Sequence, residues 1–174
     1  MQISKLIEAN IHSLEVAEKI LLNITDCQYR AVIGPFSVSL GKHFRHITDH
    51  YQQFLEGLPQ ALIEYDRRER LQVEENERSA MIMRLRSISN QLSQLTQKPQ
   101  CDQSLSVCLA LEEFGDSPIV PSTLSRELLF LQSHSVHHYA IISAILKLQD
   151  IDVAPDFGIA PSTLKYEKEK KCAP

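Results

Sequence analysis

The sequence predicts an all-α fold, a four-helix bundle with long linkers and a small β-hairpin before the last long helix. Three observations carry that reading. Four segments repeat apolar residues at spacings of three and four, the period of an amphipathic helix. Glycine and proline interrupt the chain between them. One short segment instead alternates apolar and polar residues, the period of a strand.

The first helix is predicted over residues 3–24, where Ile3, Leu6, Ile7, Leu14, Ala17, Ile20, Leu21 and Ile24 share one face. Gly34 and Pro35 lie in a long connection that follows it. The second helix runs over about residues 39–57 with Leu40, Phe44, Ile47, Tyr51, Phe54 and Leu55 as its stripe, and Gly57 and Pro59 end it. A charged stretch leads into a third helix over residues 75–96, marked by Met81, Leu85, Ile88, Leu92 and Leu95 and closed by Pro99. Leu105, Val107, Leu109 and Leu111 then alternate with Ser106, Cys108, Ala110 and Glu112, which reads as a strand; "FGDSP" turns it and "IVP" returns as a short partner. A lone hairpin is marginal in water, so it is expected to lie on the helices. Ser122 or Thr123 caps the last long helix, residues 124–149, whose apolar residues surround much of its circumference and mark it as the most buried. The prolines of the following segment oppose regular structure until its end, and "KYEKEKK" reads as a solvated terminus. The expected organisation is one helical domain over residues 1–166 and a charged tail over residues 167–174.

The chain has 174 residues, 43% hydrophobic and 23% charged, which suits one domain with a substantial core. A net charge of −4 and a pI near 6.0 oppose nucleic-acid binding by phosphate neutralisation. The N-terminal stretch carries Glu8 and Glu15 and no unbroken apolar block, so neither an export signal nor a membrane segment is expected. Cys27, Cys101, Cys108 and Cys172 form no C-x-x-C pair, which argues against a thiolate zinc site or a disulfide framework and for a reducing cytoplasm.

Six of the seven histidines fall in two windows of helical spacing. In "QSHSVHHYAII", His134 and His138 differ by roughly 40° in azimuth and one turn in height, so both rings can address one point. His137 lies to the other side of His134, placed to support the pair rather than to share an ion with it. In "GKHFRHITDHY", His43, His46 and His50 occupy one arc of the second helix. Divalent cations such as zinc accept neutral imidazoles, and three protein ligands leave a position open for water or substrate. The H-x-x-x-H spacing is also that of a zinc-protease helix, but Ser135 stands where such a helix needs a glutamate. The competing reading is a pH-sensitive polar seam without metal. His12, alone on its helix, reads as a surface or hydrogen-bonded residue.

These two segments, "SLGKHFRHITDHY" and "HSVHHYAII", resemble the DinB superfamily, including its YfiT-like members, and the order of elements is similar over nearly the whole chain. The segments "YDRRER", "STLSREL" and "DFGIAPSTLKY" resemble a bacterial subgroup of it. The resemblance implies a four-helix bundle in which one histidine of the second helix and an H-x-x-x-H pair of the last hold a metal. Matching "RHITD" to the family's segment puts the second-helix ligand on His46 and the pair on His134 and His138. His50 lies nearer the apolar stripe and is the reserve ligand, or a supporting or proton-transfer group if His46 binds. The implied cofactor is a divalent metal, with zinc ahead of nickel, iron or manganese. The implied activity is S-transfer or isomerisation with a low-molecular-weight thiol such as bacillithiol, mycothiol or glutathione, whose partner would be an electrophilic small molecule. The metal would lower the thiol's pKa. The alternative is a non-catalytic metal-binding or stress-associated bundle, with a homodimer formed through exposed helix faces.

Other side chains carry lesser expectations. Glu127, two turns below His134, forms an acidic wall or accepts an arginine of "YDRRER". Asp49 either orients an imidazole or caps a surface network. Tyr51 and Tyr139 read as packing residues rather than acids, and Arg67, Arg68 and Arg70 either receive an anionic substrate or form a solvated face.

Overall fold

The apolar stripes become packing faces in the computed structural model, which describes residues 2–34, 37–67, 72–96, 101–108 and 118–171. In chain order the elements are α1 (Gln2–Asn23), α2 (Asp26–Arg30), α3 (Leu40–Gly57), a 3-10 turn (Leu58–Gln60), β1 (Leu62–Glu64), α4 (Gln72–Asn76), α5 (Arg78–Thr96), β2 (Ser104–Cys108), β3 (Ile119–Thr123), α6 (Leu124–Lys147) and α7 (Pro161–Lys171). The described residues are mostly helical. α1 packs on α5 and α6, and α3 packs on the same two. Their shared core includes Ile7 and Leu14 of α1, Phe44 and Phe54 of α3, Met81 and Leu85 of α5, and Leu128 and Ile142 of α6. Each such side chain stabilises the fold by roughly 1.5–3 kcal/mol through removal of its surface from water.

The helix starts follow from their caps. Ser39 Oγ accepts from the Lys42 N–H of α3 at 3.3 Å, and Thr123 Oγ1 accepts from the Arg126 N–H of α6 at 3.3 Å. Thr123 is therefore the cap, and Ser122 donates instead to Glu127. Asp102 reinforces that end by accepting from the Ser125 N–H and hydroxyl, each at 2.8 Å, and these bonds hold its carboxyl below the usual range.

The predicted hairpin is the larger part of a three-stranded sheet in the order β1-β2-β3. β2 and β3 are antiparallel, with Ser104 opposite Thr123 and Cys108 opposite Ile119. β1 adds in parallel, Ile63 opposite Val107. The sequence pattern does not reveal β1, because three residues are too few to show an alternation. Leu109 and Leu111, the last apolar positions of the predicted strand, and the "FGDS" part of the turn lie outside the described residues.

Two linkers also hold short helices. α2 starts at a reciprocal cap in which Thr25 Oγ1 accepts from the Gln28 N–H and Gln28 Oε1 accepts from the Thr25 N–H. α4 precedes α5 and reaches close to α3: a Cβ on Gly41 would lie 2.1 Å from the Glu75 carbonyl oxygen. Regular structure resumes at Pro161, earlier in the proline-rich segment than expected, as α7 to Lys171, and "KYEKEKK" is mostly exposed as read. The most buried long helix is α3, with ten of its 18 residues buried against ten of 24 in α6. Hydrophobicity hid this because Arg45, Asp49 and His50 are buried among charged and polar partners.

Candidate metal centre

α3 and α6 pack side by side, and their histidine arcs face each other across the contact. One donor nitrogen from each of His46, His134 and His138 lies within 4.8 Å of the other two, and all three residues are half-buried. Their ring centroids are 4.9 Å apart for His46 and His134, 4.7 Å for His46 and His138, and 4.6 Å for His134 and His138. These are the three residues that the family resemblance implied as ligands.

The neighbouring histidines differ in their use. His50 is buried, with its centroid 4.1 Å from that of His134 and 4.6 Å from that of His46. Its Nδ1 lies 2.9 Å from the His46 carbonyl oxygen, and a carbonyl only accepts, so the hydrogen is on Nδ1. His43 Nδ1 lies 3.2 Å from His138 Nδ1, a contact that the sequence pattern did not single out although His43 sits one turn before His46. His137 is exposed and stands edge-on to His138 at 5.2 Å, outside the converging three. His12 is exposed and lies 4.0 Å from Glu15.

Beneath the histidines, a buried polar chain ties three helices. Tyr51 donates to Asn10 Oδ1 at 2.7 Å, and Asn10 Nδ2 donates to the Leu6 and Leu128 carbonyls at 2.8 and 3.0 Å. The Ser135 hydroxyl lies 3.2 Å from Tyr51 Oη and 2.8 Å from the Leu131 carbonyl oxygen. Tyr139 donates to the Ser13 carbonyl at 3.1 Å. Burial raises the pKa of both tyrosines far above the ordinary value, so they brace the bundle as neutral groups.

To one side stands an aromatic wall. Tyr65 stacks on His50 at 5.4 Å, Phe130 lies 5.6 Å from His134, and the Tyr65 and Phe130 rings meet at 5.0 Å. Tyr65 comes from the segment after β1, and no sequence period pointed to it. Its hydroxyl donates to Glu127 Oε2 at 2.7 Å, while Arg126 Nη1 lies 2.9 Å from Glu127 Oε1. Glu127 is thus a fully buried anchor for the wall. Among the described residues its arginine partner is Arg126 on its own helix, and Arg68 and Arg70 of "YDRRER" lie outside them.

Asp49 stands in a charge network that is buried rather than on the surface: it pairs with Arg45 at 3.1 Å and Arg84 at 3.0 Å, which in turn pair with Glu75 and Glu74. Arg67 is exposed and pairs with Glu64 at 3.1 Å, whereas Arg68 and Arg70 lie outside the described residues. A groove of about 950 Å³ lined by Asp49, Glu74, Met83 and Arg84 opens elsewhere on α3 and α5 and includes none of the histidines.

The donor set fits a divalent cation. Tetrahedral bonds of about 2.0–2.1 Å place ligand nitrogens roughly 3.4 Å apart, a spacing that small ring rotations reach from within 4.8 Å. Bound imidazoles must also be neutral. Burial, followed by the charges of His43, His137 and His50, pushes the His138 pKa down to about 4. Burial, then His137 and Lys42, likewise lowers that of His43. The His138 lone pair is therefore available near neutral pH.

A sequence model described as the DinB family matches residues 1–149. The chain is also similar to FK506-binding protein 5 of Rhizopus delemar, 32% identical over 146 residues that make up 79% of this chain and 37% of that one. It thus spans little more than a third of the length of that curated relative. Among the described residues no helix is long and apolar enough to cross a membrane.

Proposed function

The chain belongs to the DinB family, and from that premise we propose that it holds one divalent cation on His46, His134 and His138 and uses it to activate a small thiol for S-transfer. The observation that carries this reading is the convergence of three imidazoles from two helices on one half-buried point. Three protein ligands leave a position open, the mark of a catalytic rather than a closed site. We take zinc as the first choice over nickel, iron or manganese, because a set of borderline nitrogen donors suits it. When bound, the ion supplies positive charge that lowers a thiol's pKa and maintains the nucleophilic thiolate.

The chain's own residues support that use. Tyr51, Asn10 and Ser135 fix the α3 and α6 backbones beneath the ligands. Tyr65 and Phe130 offer an apolar wall beside His50 and His134 against which an electrophile can lie. Ser135, bonded to the Leu131 carbonyl and Tyr51, takes the position that would carry a general base in a protease helix. Small thiols of the glutathione, bacillithiol or mycothiol class are kept reduced in a cytoplasm, which is the compartment this activity requires.

A second reading, a non-catalytic metal-binding bundle, is favoured by His50, whose ring is as near His134 as the proposed ligands are to one another. A fourth imidazole on the ion would close the site. Incubating the zinc-loaded protein with each thiol class and an electrophilic acceptor, with the adduct read by mass spectrometry, separates the two. The transferase reading expects adduct formation that disappears in His134→Ala. Uniform inactivity of the fully loaded protein would leave the binding role.

A further inference from the structure

We propose that His43 is a positioning residue for the metal, fixing the orientation and tautomer of His138 through their facing Nδ1 atoms. The inference rests on the assignment of the ion to His46, His134 and His138. The two Nδ1 atoms lie 3.2 Å apart, with the ring planes at 48°. One of these nitrogens must carry a hydrogen and the other accept it, so the neutral pair has two arrangements. In the first, His43 donates from Nδ1 and His138 carries its own hydrogen on Nε2. In the second, His138 donates from Nδ1, its Nε2 is bare, and His43 carries its hydrogen on Nε2. A cation binds only a bare nitrogen, and Nδ1 of His138 is turned to His43. Only the second arrangement therefore offers the ion a ligand.

His43 Nε2 is buried and has no hydrogen-bond partner among the described residues. It is mismatched in both arrangements, as a bare acceptor in the first and as an N–H in the second. The surroundings of His43 consequently give that atom no partner that would lock either tautomer, and the ion makes the choice. Loading moves one hydrogen from Nε2 to Nδ1 on His138 and one from Nδ1 to Nε2 on His43; the pair remains neutral and no hydrogen is lost. His43 then acts as the acceptor that holds the His138 ring toward the ion, the part a carboxylate or carbonyl commonly plays behind a metal-bound histidine.

Two measurements on the full chain test this. Zinc affinity is compared by competition with a chromophoric chelator for the wild type, His43→Phe and His43→Asn, with circular dichroism confirming the fold. Phenylalanine should weaken binding by about 10–100-fold, whereas asparagine, whose Oδ1 can accept the His138 N–H, should retain most of the affinity. Nitrogen-15 correlation spectra of the wild type should show, on adding zinc, His138 bound through Nε2 with its hydrogen on Nδ1, and the hydrogen of His43 on Nε2. Equal affinity in His43→Phe, or coordination of His138 through Nδ1, overturns the role of His43 and leaves the metal site standing. A wild type that takes up no zinc overturns the site itself and this inference with it. If His43→Phe does not fold, the wild-type spectra decide.

Discussion

Replacing Asp49 with asparagine tests how α3 is fixed to α4 and α5 beneath the histidine face. Asp49 is 1% exposed and lies 3.1 Å from Arg45 and 3.0 Å from Arg84. The two arginine side chains are themselves only 8% and 11% exposed, so water cannot replace the lost carboxylate. Removing one partner of a buried ion pair costs about 3–5 kcal/mol, because the other charge remains desolvated. Here each guanidinium keeps a second carboxylate, Glu75 for Arg45 and Glu74 for Arg84. That places the expected loss near the low end, about 3 kcal/mol. Urea unfolding of the metal-free protein, followed by circular dichroism, measures it; at a slope of roughly 1–3 kcal/mol per molar, the midpoint should fall by about 1–3 M. The Asp49→Asn, Arg84→Met double variant should lose less than the sum of the single losses, since each removes the other's unpaired charge. A loss for Asp49→Asn below about 0.5 kcal/mol, the range of surface substitutions, would refute the claim that this network fastens α3.

Tyr51→Phe removes the donor to Asn10 Oδ1 in a fully buried chain and should destabilise by about 1–3 kcal/mol in the same assay, while the metal content stays that of the wild type. Gly158 has φ of 77°, and a Cβ there would come within 2.6 Å of the Ala140 backbone nitrogen, so Gly158→Ala should lower the melting temperature by several degrees, corresponding to about 1–3 kcal/mol of strain. An unchanged melting temperature would contradict the close seating of this turn on α6. The metal-free protein should lose stability as pH falls from 6.5 toward 4. In that window the unfolded chain binds protons that folded His138, with its pKa near 4, and His43, also lowered, do not accept. His138→Gln should flatten this dependence, and an identical slope in that variant would contradict it.

Why the site was readable and parts of the fold were not comes down to periodicity. Helical spacing alone marked His134 and His138, whereas the family likeness picked His46 from an α3 arc whose stripe lies nearer His50, and the structure brings these three donors within 4.8 Å. The fourth candidate, His50, lies beside the group with Nδ1 committed to the His46 carbonyl. The contact of His43 with His138 needs the relative height of two helices, which no single-helix pattern contains. Tyr65 and the three residues of β1 belong to a linker too short for any period, and their positions follow from pairing with β2 and from Glu127. α3 looked less buried than α6 because its inner face carries Arg45 and Asp49, residues that count as surface until their ion partners on α4 and α5 are known. Thr25 and Gln28 did contain a capping signal for α2, which the surrounding linker composition obscured.

His46, His134 and His138 are proposed to hold one divalent ion, and binding of that ion is directly measurable. It is tested most directly by elemental analysis of protein purified without an affinity tag from metal-replete medium, beside His134→Ala prepared in the same way. About one equivalent of a single divalent metal, zinc first, is expected in the wild type, and its loss in the variant. A wild type without stoichiometric metal, or a folded His134→Ala protein that keeps its full equivalent, would contradict it.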